Sequence, residues 1–278
     1  MTVGFAILST ICIGLGEFFA SGVTGRARST EVTAAMFLSG VLGLLIIVPF
    51  WPGDPSSRDL AFGALAGLAN GVGILLLYLA YSRGSLRSAA PAAAVVMSGI
   101  PVGWDVLISG ASPSTITGIG LAIGVTAIAL SSYEGGGDAA DDRSSVPIAM
   151  LAGAVFGILL ILLAEVSDDG GGTPILVQRI VALSLTIVVA RATGPRVLPA
   201  IRRDLAVSLG VGVFATAAIV LFVLALEGGS LSVTSVIGSQ YAAVAVLLGV
   251  VFRGQRMWWW QAVGLAGASA SVALVAIG

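Results

Sequence analysis

Ten stretches of about 20 residues run through this chain with scarcely a charge among them. They lie at roughly 2–22, 32–51, 60–82, 88–108, 114–132, 147–166, 173–191, 204–226, 231–252 and 257–277. At about 1.5 Å per residue each is long enough to cross the ~30 Å hydrocarbon core of a bilayer as an α-helix. Composition agrees, with 57% hydrophobic and 10% charged residues against about 25% charged in soluble domains. The sequence therefore predicts an all-α polytopic membrane protein with ten transmembrane helices, most simply in a cell or inner membrane. Most connections are short, Arg83-Gly84-Ser85-Leu86-Arg87 among them, so consecutive helices are expected to be antiparallel neighbours. The first stretch could be taken for a cleaved signal peptide, but it lacks a basic leader and carries Glu17. It is expected to remain as a membrane helix.

The chain is also written twice. Arg58-Asp59-Leu60-Ala61 returns as Arg203-Asp204-Leu205-Ala206, and Gly84-Ser85-Leu86 as Gly229-Ser230-Leu231, both displaced by 145 residues. Twelve identities fall within the 29 positions from 58 to 86, more than a shared taste for Ala, Gly and Leu produces. Gly120-Leu121-Ala122 matches Gly264-Leu265-Ala266 at a displacement of 144. The matches divide the chain into five-helix repeats at 1–132 and 147–278, joined by a polar linker at 133–146 with Gly135-Gly136-Gly137, Asp138, Asp141 and Asp142. Five helices is an odd number, so the second repeat enters the membrane from the other side and the repeats are expected to be inverted.

Arginine placement gives the orientation. Loops after the odd-numbered helices hold eleven arginines and loops after the even-numbered ones hold Arg58 alone. On the positive-inside rule the odd loops face the cytoplasm and both termini lie outside. Trp258-Trp259-Trp260, beside Arg253 and Arg256, then forms an aromatic and basic anchor at the cytoplasmic interface.

Residue inventory narrows the function. There is no histidine and one cysteine, Cys12, in an apolar setting; neither a nucleophile–base pair nor a metal cluster is expected, so neither is an enzyme or a cofactor. A net charge of -1 gives no case for nucleic acid. No ring-forming repeat of acids and no filter-like loop suggests a channel. Two classes remain: a transporter of small molecules, and a membrane scaffold or regulator that keeps such a fold without a polar cavity.

Ionisable groups at membrane depth carry the site argument, because each costs about 2.5–3.5 kcal/mol on insertion scales and needs a cavity or a partner. Glu17 is the deepest acid. It reads either as an interfacial or structurally paired carboxylate, or as a site for a substrate amine or a proton. Arg179, about six residues into the seventh helix, reads as a partner for a substrate carboxylate or an acid, or as a structural cation. Asn70 and Tyr78 stand eight residues apart on one face of the third helix. Glycines at 63, 67 and 71, at 120 and 124, and at 153 and 157 form packing grooves or sliding surfaces. Pro91 and Pro101 in the fourth helix free carbonyls and permit a kink, a plausible gate element.

Taken together, the pattern resembles the drug/metabolite transporter superfamily, EamA type. The duplication carries the resemblance. So do Gly14-Leu15-Gly16-Glu17-Phe18-Phe19, Pro91, Pro101, Ser239-Gln240-Tyr241, Gly264-Leu265-Ala266 and the Gly-Ser-Leu turns between the third and fourth helices of each repeat. Members are usually described with cytoplasmic termini, against the arginine count here. The resemblance implies a secondary transporter, expected to export small metabolites such as amino acids or organic cations by alternating access. Proton coupling stays open. It also implies a central chamber lined by helices 1, 3, 4, 6, 8 and 9, which would gather Glu17, Asn70, Tyr78, Trp104, Gln240 and Tyr241, with Arg179 as a seventh candidate. Small multidrug resistance transporters, related to this superfamily, use a first-helix glutamate for substrate or proton, which implies the same role for Glu17.

Overall fold

The computed structural model describes residues 2–84, 86–109, 114–132, 139–227, 231–254 and 258–277, and those residues contain helices and no strand. The helices are α1 (Thr2–Val23), α2 (Ser29–Ile47), α3 (Ser57–Arg83), α4 (Leu86–Ser109), α5 (Thr115–Ser132), α6 (Ala139–Ala164), α7 (Thr173–Thr193), α8 (Arg202–Leu226), α9 (Leu231–Ser239), α10 (Tyr241–Arg253) and α11 (Trp259–Ile277). Six of them, α1, α2, α3, α6, α7 and α8, are long and apolar enough to cross a membrane. Burial follows the logic of lipid. Large apolar side chains such as Ile7, Leu42, Leu65, Val188 and Val213 are exposed, whereas Glu17, Asn70, Gln178 and Arg179 are buried. This is the build of a helical membrane protein, in which polar groups turn inward.

Two boundaries depart from expectation. The stretch 231–252, expected as one helix, breaks at Gln240 into α9 and α10. There the amide of Gln240 donates to the carbonyl of Ile237 at 3.1 Å, three residues back instead of four. Thr10 of α1 supplies a physical reason, since its hydroxyl lies 2.8 Å from that same Ile237 carbonyl; a side chain inserted into the ladder is a standard cause of a kink. The other departure is α6, which begins at Ala139 and so takes up part of the expected linker; residues 133–138 lie outside the described residues.

Local chemistry fixes the ends. Ser56 and Asp59 close a capping box at the start of α3, with Ser56 Oγ accepting from the Asp59 amide at 3.2 Å and the Asp59 carboxylate accepting from the Ser56 amide at 2.8 Å. Pro174 sits in the first turn of α7, preceded by Gly171 at φ 58°, a conformation that favours glycine. Gly254 ends α10 in the left-handed region at φ 59°.

Glycine stripes set the close contacts. A Cβ on Gly63 or Gly67 would sit 2.5 Å from the carbonyl oxygens of Pro174 and Gln178, so α3 and α7 approach backbone to backbone. Gly153 of α6 presses in the same way on the Ala93 backbone of α4, and Gly157 presses on the Ile100 side chain. Small residues at fourfold spacing are packing surfaces here.

The principal helix contacts come in reciprocal form. α1 packs along α8 and α3 along α6; α2 packs on α8 and α3 on α7; α4 packs on α6 and α10 on α1; α2 meets α7 and α5 meets α11. Loop contacts sort into two ends. At one, Arg26 pairs with Asp204 at 2.8 Å and Arg28 donates to Thr193 at 2.7 Å. At the other, the Asp54 amide donates to Asp169 O at 2.9 Å, the Gly172 amide donates to Trp51 O at 3.1 Å, and Arg58 pairs with Glu165 at 2.7 Å.

Candidate functional site

Between these two ends the helices line a cavity of about 120 Å³. α1 brings Glu17 to it, α3 brings Asn70 and Tyr78, α7 brings Arg179 and α10 brings Tyr241. Five of the seven expected residues therefore share one space. All are buried. Met36, Met97, Phe156, Leu160 and Phe222 complete much of an apolar wall, so α2 and α7 contribute as well as the helices expected from the resemblance.

Trp104 and Gln240 do not join it. Trp104 lies seven residues beyond Met97, about 10 Å further along α4 at 1.5 Å per residue, and it is 41% exposed. Gln240 precedes Tyr241, but neighbouring helical positions point about 100° apart; its amide donates to Ser269 O of α11 at 3.5 Å.

Two ionisable side chains face this cavity without pairing. Arg179 donates from Nη2 to Ala215 O at 2.6 Å and lies over the Phe37 ring at 5.5 Å, while its Nε has no partner. Glu17 Oε2 has no partner either. The ion pairs among the described residues are Arg26–Asp204, Arg28–Glu31 and Arg58–Glu165, none of which includes Glu17 or Arg179. One carboxylate and one guanidinium thus line the same small space without neutralising each other. Tyr78 stands within electrostatic range of both, and its hydroxyl donates to Met36 Sδ at 3.4 Å.

Two buried polar residues escaped the sequence reading. Tyr81 stacks on Tyr78 with ring centroids 6.0 Å apart, and its hydroxyl faces the Glu17 carboxyl. Its position three residues after Tyr78, on the same helical face, is a signal that could have found it. Gln178 is fully buried with both amide atoms unpartnered; adjacency to Arg179 was its only clue.

The two ends of the molecule are built differently. Towards the arginine-rich end, Arg253 from the end of α10 clamps α1. Its guanidinium lies 4.2 Å from the Phe18 ring centroid, donates to Ser21 Oγ at 2.9 Å and reaches the Phe18 carbonyl. Towards the other end a second cavity of about 240 Å³ opens among Trp51, Ser167, Asp168, Glu227, Leu163 and Leu226. Along α6 and α8 the two spaces are one turn apart, Leu160 and Phe222 lining the first and Leu163 and Leu226 the second.

No protein-family profile and no curated protein matches the chain. Solved structures do share its fold. One, described only as a crystal structure of a protein, aligns over 98% of this chain and 96% of its own with a TM-score of 0.70 at 14% sequence identity. At that identity the likeness is one of fold alone, and the fold is that of an all-helical protein with several membrane-length apolar helices.

Proposed function

We propose that this protein is a secondary transporter of the EamA-like drug/metabolite type, which exports small metabolites across a cell or inner membrane by alternating access. The observation that carries the reading is the cavity shared by a buried acid outside any ion pair, Glu17, and an arginine with a free donor, Arg179. An ionisable group at membrane depth needs a partner, and a ligand with an ammonium and a carboxylate supplies one for each. Glu17 takes an ammonium and Arg179 a carboxylate, the planar guanidinium being suited to that partner. A zwitterion such as an amino acid therefore fits better than a simple organic cation. A non-transporting scaffold has no use for such a cavity.

The duplicated sequence supports two inverted five-helix repeats, and so does the contact pattern. Exchanging α1–α5 for α6–α11 in chain order carries the α1–α8 contact onto α3–α6, and α2–α8 onto α3–α7. Repeats of this kind place substrate sites near the bilayer midplane at their interface. A flux screen in proteoliposomes, with amino acids and organic cations tested with and without a pH gradient, tests the proposal. Saturable flux of a zwitterion is the expected result. Empty-liposome rates for every compound would count against transport.

A further inference from the structure

The duplicated tetrads hold one more regularity. Asp59 and Asp204 are each the third residue of their helix, α3 and α8, and each is nearly inaccessible, at 3% and 2% exposure. A first-turn carboxylate normally caps its own helix or faces water. Asp59 does cap its own helix, yet it also accepts from the Ser167 amide at 2.8 Å and the Ser167 hydroxyl at 3.0 Å. Asp204 accepts from Arg26 Nη2 at 2.8 Å and Nε at 3.3 Å. The partners are equivalent. Ser167 lies three residues past the end of α6, and Arg26 three past the end of α1. Each aspartate thus fastens the third helix of one repeat to the first helix of the other.

We propose that Asp59 and Asp204 are a pair of latches that join α3 to α6 and α1 to α8, so that these crossed pairs, and not residues 1–132 against 147–278, move as units. The packing beyond the latches runs the same way. Ser9 of α1 donates to Ala218 O of α8 at 2.8 Å, a Cβ on Gly73 of α3 would press on Phe156 of α6, and Arg58 adds its ion pair to Glu165 beside the Asp59 latch. Inside each repeat the first and third helices meet only sparsely. A sequence repeat cannot be a rigid body when its own helices hold each other less than they hold the other repeat. The latches differ in chemistry. Asp59 is satisfied by serine donors and backbone, Asp204 by a guanidinium, so salt screening weakens the second more.

The proposal rests on the transporter reading for the existence of a large motion, and the distance part of its test needs no substrate. In a Cys12→Ser background, spin labels at exposed positions Val3 on α1, Ser82 on α3, Ala164 on α6 and Arg202 on α8 give four distances by pulsed electron resonance in nanodiscs. Ser82–Ala164 and Val3–Arg202 cross the repeats along latched pairs; Val3–Ser82 and Ala164–Arg202 stay within one repeat. The expected result is a single narrow distance for each latched pair and two or more distances for each pair within a repeat. The reverse pattern, or four single distances, would overturn it. Removing a latch, with Arg26→Gln at one and Asp59→Ala at the other, should add a second distance to the corresponding latched pair; unchanged distributions would remove the latch role. Disulfides in place of the latches, Arg26→Cys with Asp204→Cys and Asp59→Cys with Ser167→Cys, should leave flux intact. Flux present when reduced and lost when oxidised would refute the latches while leaving transport standing, whereas absent flux in the unmodified protein would strike at transport alone.

Discussion

Glu17 and Arg179 make different demands on an experiment, because Glu17 faces a hydroxyl that an amide also meets, whereas Arg179 holds a backbone carbonyl. Glu17 belongs to no ion pair among the described residues and faces the Tyr81 hydroxyl, so Glu17→Gln removes the ionisable group and keeps an acceptor for that contact. A hydrogen bond to a charged group contributes about 1.5–3 kcal/mol, and 1.4 kcal/mol is about tenfold. Zwitterion flux should therefore fall roughly tenfold to a hundredfold while folded yield stays near wild type; undiminished flux would make the carboxylate structural. Arg179 also holds the Ala215 carbonyl, so loss of flux alone would be ambiguous and selectivity is the better measure. Wild type should prefer an amino acid to the amine lacking its carboxylate, and Arg179→Gln should narrow that preference by about tenfold or more. Five of the polar residues that line the cavity could be picked out beforehand because such groups are rare and costly at membrane depth. Trp104 and Gln240 lie outside it because whether a side chain meets a cavity depends on the rotation and axial level of its helix, which packing decides.

Helices 1–8 could be read from apolar runs, since a lipid-facing surface leaves little freedom for anything else. The break between α9 and α10 could not, because its cause lies in Thr10, on another helix, 227 residues away. The glycine stripes were read without knowing which helix they faced. Their contacts now give a prediction with an internal control. Gly67→Val would place a Cβ 2.5 Å from the Gln178 carbonyl oxygen and 2.8 Å from Val181 Cβ; overpacking of that kind costs about 1–3 kcal/mol, and the melting temperature should drop. Gly210→Ala meets nothing within 4 Å and should leave it unchanged or slightly raised. Equal effects of the two would show that the α3–α7 approach is looser than described. Arg253 belongs to this scale too, as the tie between α10 and α1. Arg253→Ala should speed labelling of a cysteine at Met36 by a reagent added from the arginine-rich side, and unchanged labelling would mean that other contacts close that end.

For the molecule as a whole, orientation is the first question. Eleven arginines against one predict that a reporter fused after Gly278 registers the outer side and one in the 192–203 loop the cytoplasmic side; opposite signals would restore cytoplasmic termini. The duplication was plain in the sequence, but the helix partners were not, since a displacement of 145 residues says which segments resemble each other and nothing about which ones touch. Alternating access is the claim on which the account turns, and counterflow tests it most directly. Liposomes carrying the protein are loaded with an unlabelled zwitterion and diluted into a trace of the labelled compound. A transporter that exposes one cavity to each side in turn exchanges the two, so label should accumulate transiently above its equilibrium level and Glu17→Gln should abolish the overshoot. Monotonic uptake in the wild type would indicate an open path, and no uptake above empty liposomes would indicate a fold without transport; either result contradicts the account.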